Sequence, residues 1–164
     1  MPDTAIHAAL RESVDEVLEK MFFIRSFDEP ADTLRDAEFV AHLTFEGAPS
    51  GCLTLSVSVP AARSVAADFL GEEEADLSEQ QIGEVVCELS NMICGSVLSR
   101  VESDSTFHLD APRLVPIQEQ EALVIPAGAG SSACSHAAGI GSGKLLVTFN
   151  TDTAAWPIAE KRAF

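Results

Sequence analysis

Residues 78–101 carry a helical repeat that leaves this chain little choice of fold. With Ile82 as origin and about 100° per residue, Ile82, Val86, Leu89, Ile93, Ser96 and Val97 fall within about 60° of one line. Such a stripe is satisfied only against another apolar layer. Ser78 and Gln81 predict a capping box at its start, with the Ser78 hydroxyl serving the Gln81 amide and the Gln81 side chain reaching back. On the opposite side Glu84, Glu88, Asn91 and Gly95 share one outward row. Asn is a poor residue for a helix interior and Gly costs roughly 1 kcal/mol relative to Ala. That row therefore suits a partner surface better than it suits helix stability. The plainer alternative, an exposed Asn and a tolerated Gly, is equally open from phase alone.

The layer that receives the stripe is legible on both sides of it. Ile6, Leu10, Val14, Val17, Leu18, Met21 and Phe22 recur at helical spacing and predict a helix over 4–23, with Thr4 as its cap. Polar residues and Pro30 make 26–36 a connection. Phe39, Ala41, Leu43 and Phe45 alternate with more polar neighbours over 38–46, and Leu53, Leu55, Val57 and Val59 share one face over 52–59. Gly47, Pro49 and Gly51 between them complete a hairpin. Pro60 begins a short helix that Gly71 ends. Further strands are expected at 106–109, 114–117, 121–125, 133–138 and 144–149. Helix, hairpin, helices and then strands describe an α+β fold: an antiparallel sheet with an N-terminal helix and a central helix pair packed on it, in one domain over 1–164.

Charge excludes some partners. With 26 acidic residues against 10 basic ones the net charge is −16, which opposes nucleic acid and anionic membrane surfaces, both of which require basic patches. Hydrophobic content of 46% suits a folded chain. No run of about 18 apolar residues marks a membrane span, and Met1-Pro2-Asp3-Thr4 has no secretory pattern, so the expected compartment is the cytoplasm. The acidic run Glu72-Glu73-Glu74-Ala75-Asp76 reads as a solvated approach to the positive end of the next helix.

Other chemistry resolves simply. Cys52, Cys87, Cys94 and Cys134 form no Cys-x-x-Cys pair and read as packing residues. Cys134 and His136 share a strand face, but two ligands make no metal site; His7, His42 and His108 read as structural or solvated. Gly143-Lys144 fails as a phosphate loop, because Ala138 and Leu145 stand where Gly and Ser or Thr are needed and a strand follows.

One constellation remains. Glu88-x-x-Asn91 within Gly83-Glu84-x-x-x-Glu88-Leu89-x-Asn91-Met92-Ile93-x-Gly95, followed by Asp110-Ala111-Pro112, resembles the signature of the CheX/CheC/FliY chemotaxis phosphatases. The N-terminal helix has no Glu-x-x-Asn, only Glu12-x-x-Asp15 and Glu16-x-x-Glu19. One site per chain points to the CheX type rather than the two-site CheC type. The family has Asp or Ser where this chain has Glu84. The resemblance implies a CheX-like fold and removal of the phosphoryl group from the aspartate of a CheY-like response-regulator receiver. It also implies pairing into dimers. Asn91 would orient the attacking water and Glu88 would pair with the receiver's lysine; by helical phase Glu84 and Gly95, on the same row, would border the partner. No cofactor is expected in this chain; Mg²⁺ would belong to the receiver.

Chemistry supports that division of labour. Acyl-phosphate hydrolysis passes through a loose in-line transition state, so a helper protein mainly positions water and charge. A side-chain amide both accepts and donates without changing charge. The rival reading is a catalytically silent adaptor of the same fold that docks on a receiver or on the flagellar switch.

Overall fold

The computed structural model describes residues 3–29, 37–47, 50–100, 106–116, 132–141 and 143–151. Helix α1 spans Asp3–Phe22, α2 Val59–Leu70 and α3 Glu79–Ser99. Strands β1 to β7 are Phe27–Glu29, Ala37–Glu46, Gly51–Ser58, His108–Leu109, Arg113–Leu114, Ser132–Ile140 and Gly143–Thr151. They form one 7-stranded sheet in the order β1-β6-β7-β3-β2-β4, with β5 also pairing β2. Every pairing is antiparallel.

Alternation along the strands decides which face is covered. Leu43, Leu53, Phe149 and Cys134 stand in one cross-strand row, and Ala41, Leu55, Val147 and His136 in the next. All eight are buried. The helices cover this face, bringing Leu10, Val14, Leu18, Ala62, Val65, Ile82, Leu89 and Ile93 into the same core. Intervening positions such as His42, Thr54, Ser56 and Thr148 point to the other face and remain partly open to water.

Local chemistry sets the helix ends. Pro60 lies in the first turn of α2, where its missing N–H costs nothing. Gly71 takes a left-handed φ of 67° and donates its N–H to the Ala67 carbonyl. At α3 both halves of the predicted capping box are present: Gln81 N–H donates to Ser78 Oγ at 3.1 Å, and Ser78 N–H donates to Gln81 Oε1 at 2.9 Å. By length and composition α3 would suit a membrane span, but 56% of its most apolar stretch is buried inside the protein.

Several expectations are corrected. Helix α1 begins at Asp3, so Thr4 lies inside it and is not its cap. Residues 27–29 form a strand, β1, paired with β6; three residues are too short for alternation to show. Val59 starts α2 instead of extending β3, and the strands expected at 106–109 and 114–117 shrink to two residues each. In α3, Ser96 is only half-buried, while Val85, Ser90, Cys94 and Leu98 join the buried side. The burial arc is wider than a one-sided stripe because α3 packs on α1 and α2 as well as on the sheet. The strand expected at 121–125 lies outside the described residues.

Candidate functional site

The apolar arc of α3 fixes its rotation, and its outward row follows from that. Glu84 and Glu88 are exposed, while Asn91 and Gly95 are half-buried. The four sequence-identified residues thus lie along one face of a single rigid helix, as their spacing requires. Glu84 accepts a hydrogen bond from Gln80 Nε2 at 3.3 Å. Among the described residues no such bond involves Glu88 or Asn91. At Gly95 an added Cβ would meet nothing within 4 Å, so the helix surface beside Asn91 is open.

The helix beneath the row is held at both ends. The capping box fixes its start. At its end Arg100 Nη1 donates to the Ser96 carbonyl at 2.9 Å and to Ser96 Oγ at 2.7 Å, and Nη2 donates to Glu16 on α1. The Arg100 and Lys20 hydrogen bonds hold the Glu16 carboxyl below its ordinary range. An acid-amide pair mounted this way can position a water and present a carboxylate to a cation.

Sequence reasoning missed one neighbour of the row. Gly83 is buried, and a Cβ there would stand 2.5 Å from Leu114 Cδ1. The absent side chain lets β5 close over the first turns of α3. A glycine on the covered side of an otherwise apolar helix was the available signal for such an approach.

The cysteines and histidines behave as structure. None of the four cysteines forms a disulfide. Cys87, one turn before Asn91, has its thiol pushed up by burial and by Glu84, and burial pushes Cys94 up to about 12. Raised thiols make poor nucleophiles. His136 is buried and meets the His7 ring edge-on, with centroids 5.7 Å apart. Among the described residues no three His, Cys, Asp or Glu side chains converge as metal ligands.

Comparison with known proteins adds the family. The family model "Chemotaxis phosphatase CheX" matches residues 39–125, which include most of β2 and all of β3, α2 and α3. The crystal structure of chemotaxis protein CheX from Vibrio vulnificus superposes with a TM-score of 0.68 at 16% identity, covering 88% of this chain and 94% of that one. CheX in the CheX-CheY-BeF3-Mg²⁺ complex from Borrelia burgdorferi gives 0.64 at 16% identity, covering 88% and 95%. Thermotoga maritima FliY gives 0.57 at 13% identity, covering 87% and 85%. A search of curated protein sequences finds no match. With the family model covering more than half of its residues, the chain belongs to the chemotaxis phosphatase CheX family.

Proposed function

We propose that this protein hydrolyses the aspartyl phosphate of a CheY-like response-regulator receiver. The observation that carries the reading is the outward row of α3, where an exposed Glu88 and a half-buried Asn91 sit one turn apart beside the open surface at Gly95. Family membership supports it, as does the existence of a CheX-CheY complex in a protein of the same fold.

In this reading the Asn91 amide enters the receiver's active site. Its oxygen accepts a hydrogen from a water, and its N–H donors hold that water in line with the phosphorus. The water oxygen bonds to phosphorus as the phosphorus–aspartyl oxygen bond breaks, giving the free aspartate and inorganic phosphate. Glu88 pairs with a receiver lysine and fixes the docking angle. Mg²⁺ arrives with the receiver as part of the substrate. We place the reaction in the cytoplasm, and a dimer of this chain would offer two such rows.

The test follows decay of a phosphorylated receiver from the same genome, with and without this protein. Acceleration by the wild type, with about 10²-fold loss in Asn91→Ala at unchanged fold, is the expected result. Glu88→Ala should chiefly weaken engagement of the receiver. Binding without acceleration would establish the silent adaptor instead.

A further inference from the structure

The surface around the row extends sideways as well as along α3. Leu114 ends the inner cross-strand row that runs through Val147, Leu55 and Ala41, so it lies on the helix-bearing face at the edge of the sheet. Its neighbour Val115 is 5% exposed, yet Leu114 is 42% exposed despite resting on α3. It rests there because Gly83 has no side chain: its Cδ1 occupies the space beside the Gly83 backbone. Gly83 directly precedes Glu84. An exposed apolar group therefore borders an otherwise polar row, propped by a glycine that serves no helical preference.

We propose that Leu114 is a docking residue for the receiver, supplying the apolar anchor that the acid-amide pair lacks; this rests on the function proposed above. A stable protein–protein contact buries about 800 Å² on each partner. A footprint of that size centred on Glu88 and Asn91 overruns the width of one helix. On the β5 side, the exposed Leu114 beside Gly83 lies in the direction such a footprint extends. Interface cores are apolar and depleted of charge, with most of the energy carried by a few well-packed residues, whereas the carboxylates and amide of the row supply only the polar part. Gly83 is then a positioning residue, acting through Leu114 without touching the partner.

The experiment separates docking from chemistry. Decay of the phosphorylated receiver is measured across receiver concentrations for wild type, Leu114→Ala, Leu114→Met, Gly83→Ala and Asn91→Ala, each checked by thermal melting. Leu114→Ala should raise KM about 10-fold, the scale of truncating one of the minority of interface residues that cost more than about 1 kcal/mol, with kcat within about 2-fold. Leu114→Met should restore the wild-type KM. Gly83→Ala, whose methyl displaces Leu114 Cδ1, should raise KM in the same direction. Asn91→Ala should show the opposite split, a loss of kcat at similar KM. If KM is unchanged in Leu114→Ala while Asn91→Ala abolishes acceleration, the docking role is overturned and the phosphatase reading stands. If wild type neither binds nor accelerates any receiver, both readings fall.

Discussion

Arg100 at the C-cap of α3 donates to the Glu16 carboxylate on α1, and the same guanidinium holds the Ser96 carbonyl and hydroxyl. One side chain thus joins the end of the site-bearing helix to the helix beside it. Glu12 lies within 3.9 Å of the same guanidinium, so the charge is shared by two carboxylates.

Arg100→Ala should therefore lower stability by about 1 kcal/mol, the scale of a part-exposed ion pair supported by hydrogen bonds to Ser96. The effect has a pH signature. The Glu16 carboxyl is lowered in the folded state, first by the Arg100 hydrogen bond and then by Lys20. Its contribution is present above its ordinary value of 4.5 and is lost as pH falls through the lower folded value. Melting temperatures of wild type and variant should differ near neutrality and converge in acid. A gap that stays constant with pH would remove the ion pair from the account.

Gly95→Ala tests whether the row is maintained against helix stability. The added methyl enters open space, so the variant should be more stable by about 1 kcal/mol. Gly95→Leu should fold equally well and yet hinder receiver docking, since its side chain projects from the face that carries Asn91. Destabilisation of Gly95→Ala in chemical denaturation would show that the position is already enclosed.

Phe23 offers a second gain. It is 86% exposed and adopts φ 57°, the left-handed conformation, immediately after α1. The Ile24 N–H donates back to the Leu18 carbonyl at 2.9 Å, and the left-handed φ at Phe23 is one that glycine adopts without strain. Phe23→Gly should raise stability by about 1 kcal/mol. An unchanged or lower midpoint in urea would show that the ring makes a compensating contact.

Thiol labelling provides an independent check on the packing of α3. Burial raises the Cys52, Cys87 and Cys94 thiols, Cys94 to about 12. At neutral pH all three should react far more slowly in the native protein than in denaturant, with Cys94 slowest. Rapid native labelling of Cys94 would contradict the described helix packing.

Much of this was legible because α3 and the hairpin β2–β3 carry long, regular patterns. The capping box could be read from Ser78 and Gln81 alone, and the outward row from helical phase. What escaped notice was set by tertiary neighbours. Three residues of β1 have too little pattern to display, and its pairing is decided by β6, more than a hundred residues later. Ser90 and Cys94 are buried because α3 is enclosed on several sides, which periodicity along one helix does not report. The Gly83–Leu114 approach joins two segments whose proximity exists only after β5 pairs with β2.

The strand order also governs how the chain acquires its structure during synthesis. The β2–β3 hairpin pairs residues close in sequence, whereas the other edge of β3 is matched by β7 and β1 by β6. Until β6 and β7 have been made, α1 has α2 and α3 but not β6 to pack on, and α2 has α3, β2 and β3 but not β7. The helix that bears the acid-amide row rests on α1, α2, β2 and β3, all of them made before it, so the row has most of its platform as soon as it is synthesised, and β6 and β7 arrive to complete the cover of α1 and α2.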